Sequence, residues 1–318
     1  MALLLTDRDL PQCLSMAEAI AAIETALSER RDRTAVSHPR THWPVGSTGF
    51  TITPGGFETT GVLGMRVYLR GGGANDQLTA VWDSSSHRLE GIIVGSDLGA
   101  IRTGAIGGVA FQRLAPAAVT SAAVIGGGLQ TQTQLRALLT VRPTVRSVAL
   151  YRRDPDRRRV AAESLTHELG INVSPAPSAE AAVAEAEVVV LATDSSTPVV
   201  QADWLRSGAH VNSLGPKYVA NSEIGLDVLN WADLLVCDFP EEYRREEDFL
   251  LHGSPQEGNI LDLADLAGEP ISRPPEKKTL FLSHGLAGTE VMVAHRAIKN
   301  AERLGLGTRI AIPERVDT

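Results

Sequence analysis

Between Ala122 and Gln132 the chain reads AAVIGGGLQTQ: four apolar residues, three consecutive glycines, then the polar start of a helical stretch. A short apolar run of this kind suits a strand buried on both faces. The glycines free the backbone to turn sharply and approach a ligand, and a helix from about Leu129 to Val141 would aim its unpaired N–H groups at a phosphate. A glycine triplet can also be only a loop, and Thr131 stands near the place of the third motif glycine. The strand–turn–helix–strand setting favours the dinucleotide reading. The following strand, ALYRRDP (149–155), ends in Arg152 and Arg153. A carboxylate at that tip would suit a free ribose 2′-hydroxyl; two guanidiniums suit a 2′-phosphate. The pattern therefore predicts NADP(H) as the preferred cofactor, with NAD(H) possible. Asp154 and Pro155 predict the start of the next helix, which would leave Arg157, Arg158 and Arg159 on its solvated face.

The 318 residues suffice for two domains. With 43% hydrophobic and 21% charged residues the chain is expected to be globular. Its net charge of −8 argues against general nucleic-acid binding, which depends on neutralising phosphates. The opening MALLLTDRDLP is too short an apolar run for a signal peptide, and no run reaches membrane-spanning length. Cys13 and Cys237 give no metal spacing and are expected to be reduced, buried thiols in a cytoplasmic protein.

Residues 1–35 predict a short strand and an amphipathic helix opened by the capping box Ser15/Glu18. From about 36 to 95 the pattern turns to strands separated by Gly and Asp/Ser turns, an antiparallel sheet or half-barrel. In GMRVYLR, alternation places Met65, Val67 and Leu69 on one face, expected to be core, and Arg66, Tyr68 and Arg70 on the other, expected to face a cleft. From about 117 to 283 strands alternate with helices, which predicts a doubly wound parallel sheet. A long helix within 285–304 follows and could return to the first domain. The fold class expected is thus α/β: a Rossmann-type domain over 116–284, plus an α+β substrate and dimerisation domain from 1–115 with 285–318. SRPPEKK (272–278) reads as a loop, and the acidic run EEYRREED (241–248) as a solvated helix face. His38 and His42 share a strand face without a third ligand, so no metal site is expected.

These segments together resemble the ornithine cyclodeaminase/μ-crystallin family over nearly the whole chain. The carrying motifs are HPRTHW (38–43), GMRVYL (64–69), SDLGAIRTGAIGGVAFQRLA (96–115), IGGGLQTQTQLRAL (125–138), LATDS (191–195), AHVNSLG (209–215) and LFLSHGLAGTE (280–290). The resemblance implies an NAD(P)-dependent enzyme of imines or amino acids, acting as a homodimer. By position in these motifs, it implies that Arg40 holds a substrate carboxylate and that Arg66 stands where a lysine usually lies beside the substrate. Arg102 and Thr103 match an arginine–threonine pair near the cofactor phosphates and the active cleft, and Thr79 a threonine that touches the cofactor. Gly126, Gly128, Leu129 and Gln130 match the pyrophosphate turn. Thr193, Asn212, Ser213, Leu214 and Gly215 match strand ends lining the nicotinamide, and Arg152 replaces an aspartate of the NAD-using cyclodeaminases.

Lys217 occupies the place where those cyclodeaminases carry an aspartate that handles the substrate's amine proton. A lysine cannot accept that proton unless its pKa is strongly lowered, and it repels a cationic side chain. Arg66 adds a rigid anion clamp. Both departures argue against ornithine and for a small carboxylate-bearing imine or amino-acid substrate. The expected reaction is hydride transfer at a C=N or CH–NH bond, with Arg40 and Arg66 as carboxylate clamp and Lys217 or His284 as proton source. The plainer alternatives are a surface-loop Lys217, a backbone-bonded His284, and ion-paired strand arginines at 40 and 66. Two other functions compete: a cyclodeaminase-type lyase that recycles NAD, and a non-catalytic NADPH-binding protein of the crystallin type.

Overall fold

A computed structural model describes residues 1–70, 76–245, 247–268 and 274–312. Ser272 and Arg273 of the expected loop, Glu246 of the acidic run and residues 313–318 lie outside the described residues. The chain divides into two compact units, Met1–Arg102 with Leu286–Thr318, and Thr103–Gly285. The first boundary falls inside a helix, α3 (Asp97–Leu114), rather than after it.

In the first unit, β1 (Ala2–Thr6) leads into α1 (Leu10–Cys13) and α2 (Met16–Arg31). The capping box forms: the Ser15 hydroxyl accepts from Glu18 N while the Glu18 carboxylate accepts from Ser15 N. Strands β2 (Ala35–Ser37), β3 (Thr41–Val45), β4 (Thr48–Phe57), β5 (Val62–Arg70), β6 (Gln77–Asp83) and β7 (Leu89–Val94) follow. With the late strand Thr308–Ile310 they form an eight-stranded sheet in the order 308–310, β1, β7, β6, β5, β4, β2, with β3 also on β4. Strands β2 to β7 pair antiparallel throughout, as expected for 36–95, and β1 joins them parallel to β7.

The C-terminal helix, Thr289–Leu304, packs on this sheet and reverses the expected facing of β5. A Cβ on Gly64 would sit 3.2 Å from Val291 Cγ1, so the Gly64/Arg66/Tyr68 face is the covered one. The Thr79, Val81 and Ile93 side chains on the same face are buried. The Met65/Val67/Leu69 face, expected to be core, is instead open: Leu69 is 56% and Leu63 46% exposed, and Trp43 on the same side is 47% exposed. The helix itself buries Val291, Val293, Ala294, Ala297 and Ile298 completely. At about 25 cal/mol per Å² of apolar surface, that face is a main attachment of the segment.

The second unit is a parallel sheet in the order β10 (Asn172–Pro175), β9 (Ser147–Tyr151), β8 (Ser121–Gly126), β11 (Val188–Ala192), β12 (His210–Ser213), β17 (Thr279–Leu282), β15 (Leu234–Cys237), β16 (Leu261–Asp262). Every neighbouring pair is parallel. Strand order reverses between β8 and β11, and in open α/β sheets the ligand crevice lies at the carboxyl ends of strands at such a switch. Helix α4 (Leu129–Val141) follows β8, and α5 (Pro155–Leu169) follows β9 behind an Asp154 N-cap that accepts from Arg157 N. An antiparallel pair absent from the sequence reading, β13 (Lys217–Tyr218) with β14 (Asn221–Ser222), folds back just beyond β12. The acidic run is only partly a solvated face: a short helix, Pro240–Tyr243, buries Glu242 and Tyr243.

Candidate active site

In the second unit, a cavity of about 820 Å³ opens at the switch point. The glycine turn (Gly126 to Gly128), Leu129 and Gln130 form one side, and Arg152 and Arg153 another. The turn is shaped for close approach. Gly126 has φ 137°, and a Cβ there would lie 2.3 Å from the Ala192 carbonyl oxygen across the switch. A Cβ on Gly127 would press on the Arg152 side chain at 3.1 Å, so Arg152 lies directly over the turn. Helix α4 has Gly128 as N-cap and no side-chain cap, which leaves its first N–H groups for an anion. Thr131 is buried beneath Gly126.

The arginines behave less uniformly than a solvated face would. Arg157, from the first turn of α5, also lines the cavity. Arg158 places its guanidinium 5.2 Å from the Tyr151 ring centroid, and Arg159 pairs with Glu163 at 2.8 Å. Of the strand-end residues, Thr193, Leu214 and Gly215 line the cavity. Asn212 and Ser213 are fully buried and face other partners. Asn212 Nδ2 donates to Gln134 Oε1 (3.2 Å), its Oδ1 meets His210 Nε2 (2.7 Å), and Gln134 Nε2 donates to the Thr103 carbonyl (3.0 Å).

Beyond the cavity-lining tips the unit holds buried charges. Glu223 is completely buried. Its carboxylate accepts from Thr193 N (3.0 Å) and Thr193 Oγ1 (2.8 Å) with one oxygen, and from Ser213 Oγ (2.8 Å) and Gly215 N (2.6 Å) with the other. Lys217 is buried too, not a surface-loop lysine, and its Nζ donates to the carbonyls of Gly215 (2.6 Å) and Ser283 (3.0 Å). Burial lowers its pKa to about 8, with Glu223 and Asp238 pulling the other way. His284 packs at a tilt against Tyr243 (centroids 4.7 Å) with Nε2 3.4 Å from buried Glu242. Asp238 accepts from the backbone N–H groups of His284 and Gly285.

In the first unit, Arg66 and Arg102 converge on Glu290 in the first turn of the C-terminal helix. Arg66 Nη1 donates to Glu290 Oε1 at 2.9 Å, Arg102 Nη2 donates to the same oxygen, and Arg66 Nε donates to Gln77 Oε1 at 2.8 Å. The Arg66 guanidinium also lies 4.6 Å from the Tyr68 ring centroid. Glu290 is fully buried, and burial alone would raise its pKa. Arg102 and Arg66 outweigh that and hold it below the usual carboxylate range. Its second oxygen, Oε2, is buried without a hydrogen-bond partner among the described residues. Thr79 stands directly opposite Arg66 in the β5–β6 ladder, and Arg40 is half-buried in the connection between β2 and β3.

Sequence reasoning missed Glu290, Glu223 and the cavity position of Arg157. Glu290 was visible only as the last letter of LAGTE; its partners Arg66 and Arg102 are 224 and 188 residues away. Glu223 carried no local signal, because its four donors come from the ends of two different strands.

The model of the ornithine cyclodeaminase/mu-crystallin family matches residues 2–303. The chain belongs to that family. Within it, the chain is 27% identical over 315 residues to a Delta(1)-pyrroline-2-carboxylate reductase of Bacillus cereus, spanning 93% of this chain and 96% of that protein. It is 31% identical over 238 residues to an L-lysine cyclodeaminase of Streptomyces rapamycinicus, spanning 72% and 67%. A shorter match, 39% identical over 124 residues, covers 37% of its relative's length. Among solved structures, the Thermococcus litoralis Delta(1)-pyrroline-2-carboxylate reductase in complex with NADH and L-proline superposes with a TM-score of 0.88 at 29% identity, covering 97% of this chain and all of that one.

Proposed function

We infer that this chain is an NAD(P)-dependent oxidoreductase that reduces the C=N bond of a small imino acid, or oxidises the matching amino acid, and prefers NADP(H). The observation that carries the reading is the switch-point cavity, where a close-approach glycine turn and the guanidiniums of Arg152 and Arg153 line one space. That space fits a dinucleotide: its floor is a glycine turn in which a Cβ on Gly126 would collide with the Ala192 carbonyl, and the start of α4 carries no side-chain cap. Gly126, Gly128, Leu129 and Gln130 would hold the pyrophosphate, Arg152 and Arg153 (with Arg157 beside them) the 2′-phosphate, and Thr193, Leu214 and Gly215 the nicotinamide side. When bound, the nicotinamide supplies the hydride. The protein's part is to bind and orient the acid and to neutralise its charge. Arg66 and Arg102, aimed by their shared Glu290, serve as carboxylate binders together with Arg40, and Thr79 is assigned to the cofactor. A cyclic imino acid of the pyrroline-2-carboxylate type is the substrate class proposed, in line with the two relatives that act on it.

The chain is further proposed to act as a homodimer in a reducing, cytoplasmic setting. The open apolar face of the first unit's sheet, with Trp43, Val45, Phe50 and Leu69, exceeds what scattered exposed residues explain; a second copy would cover it. Both thiols are free and buried. No described helix is long and apolar enough to cross a membrane.

The test is NADPH consumption with a panel of cyclic and acyclic imino acids. Stoichiometric loss of NADPH, faster than of NADH, is expected with at least one cyclic imino acid. Ammonia release from a diamino acid with no net change in the nicotinamide would instead favour the lyase reading that the lysine cyclodeaminase relative keeps alive. Cofactor binding without turnover of any substrate would favour the crystallin-type reading.

A further inference from the structure

The hairpin that follows β12 places Lys217 and Glu223 on its two arms. Lys217 pairs with Ser222 in the ladder, and Glu223 N donates to the Pro216 carbonyl at 2.9 Å. Both polar backbone groups of Gly215 end on this pair of buried charges. Its N–H donates to Glu223 and its C=O accepts from Lys217, each at 2.6 Å. The same two side chains reach three further segments: Glu223 holds Thr193 at the end of β11 and Ser213 in β12, while Lys217 holds the Ser283 carbonyl after β17. A Cβ on Gly215 would stand 2.5 Å from the Glu223 carboxylate, so the glycine lets the loop lie flat on the acid.

We propose that Lys217 and Glu223 form a buried charge staple that locks the tips of three adjacent strands, and that both are positioning residues for the cofactor pocket. The staple rests on the proposed function only in assigning Thr193 and Gly215 to cofactor binding; the lock itself does not. Its chemistry is specific to a carboxylate. An ionised Glu accepts only, and here each oxygen takes two donors; a glutamine in the same place offers one oxygen and turns an NH₂ toward donors. Lys217 is correspondingly occupied. With two carbonyls on its Nζ and a hairpin around it, it holds the loop and is not the source of the substrate's proton. In a chain where the family's aspartate is missing from this position, a cation here balances Glu223 and does the work of fixing Gly215.

Two readouts test this. Amide hydrogen exchange of the unliganded protein measures the lock without any cofactor. Glu223→Gln is expected to speed exchange at Ser213, Leu214 and Gly215 by about tenfold or more, as loss of charge-assisted hydrogen bonds from buried donors implies. Unchanged exchange there overturns the staple. Fluorescence titration then asks whether the lock matters to the pocket. Glu223→Gln should weaken NADPH binding about tenfold, and Glu223→Asp, which keeps the charge and loses reach, should lie between it and the parent. Equal affinity in parent and Glu223→Gln overturns the positioning role. If the parent binds neither NADPH nor NADH, the proposed cofactor reading fails while the exchange result still decides the staple. Should Glu223→Gln not fold, Thr193→Val and Ser213→Ala each remove one hydroxyl donor, and each is expected to speed exchange two- to fivefold; no change in either contradicts the proposal. For Lys217→Met, a loss in cofactor affinity larger than the loss in kcat fits a positioning residue. A collapse of kcat with binding intact would restore Lys217 as the proton donor.

Discussion

Glu223 in the second unit and Glu290 in the first are both completely buried, and the two are finished differently. In the second unit Glu223 is saturated: four donors on two oxygens, with Lys217 beyond them occupied by carbonyls. In the first unit Glu290 takes Arg66 and Arg102 on one oxygen, while the other, equally buried, receives no hydrogen bond among the described residues. A buried polar group with all its partners rigidifies what surrounds it. One left short is a cost that a structure tolerates where a ligand, a water or a reaction completes the set. On the proposed function, the difference separates scaffold from site: Glu223 would shape the cofactor pocket, and Glu290 would arm two guanidiniums for the substrate.

The largest expected effect comes from breaking the unsaturated cluster. Glu290→Gln leaves two mostly buried guanidiniums without their anion, and should cost about 3–5 kcal/mol of stability in urea unfolding. A loss below about 1 kcal/mol would mean the arginines have other sufficient partners. Next, Arg66→Ala should lower kcat/KM for carboxylate substrates about a hundredfold or more while leaving NADPH affinity within about twofold, because a charge-assisted bond to substrate is removed and the dinucleotide pocket is not touched. Parallel losses in both would deny the separation of roles. Arg152→Asp should then reduce the preference for NADPH over NADH about tenfold or more by putting a carboxylate where the 2′-phosphate would lie. An unaltered ratio removes Arg152 from cofactor selection.

The subtlest contrast is in pH. Glu290 has a depressed folded pKa, so its contribution is complete above the unfolded value and is lost as pH falls through the lowered one. Lys217 has a folded pKa of about 8 against 10.5 unfolded. Between those values the unfolded chain holds the extra proton, so this group makes stability rise with pH. Relative to Lys217→Met, the parent should gain stability across that alkaline window, by at most about 3 kcal/mol; relative to Glu290→Gln, it should lose stability on acidification below about pH 4.5. Curves for parent and variant that run parallel in either window would count against the corresponding buried charge.

How far the sequence reached follows the same division. The parallel sheet, its glycine turn and the Arg152/Arg153 tip were legible because their signals are local: an apolar run, a turn and a capped helix within about thirty residues. The two caps, Ser15/Glu18 and Asp154, were legible for the same reason. The facing of β5 was not. Alternation separates Met65/Val67/Leu69 from Arg66/Tyr68, but it cannot say which side a helix over 200 residues later will cover, nor that the helix brings a glutamate to pair with Arg66. Lys217 was legible as a departure from the family pattern and illegible as a buried residue, because the hairpin enclosing it is two residues wide on each arm. Asn212 was placed at a strand end correctly, yet its amide is committed inward to Gln134 and His210, a choice set by a helix and a strand that are neighbours only in space.

Hydride moving between a nicotinamide and the carbon that bears the imine nitrogen of an acid would leave an isotopic trace. The most direct measurement is a single turnover with NADPH deuterated at the transferable position and a cyclic imino acid, followed by mass spectrometry of the product. One deuterium is expected on the product carbon next to the carboxylate, with one equivalent of NADPH consumed. An unlabelled product, or label returned to the nucleotide while ammonia is released, would contradict that transfer.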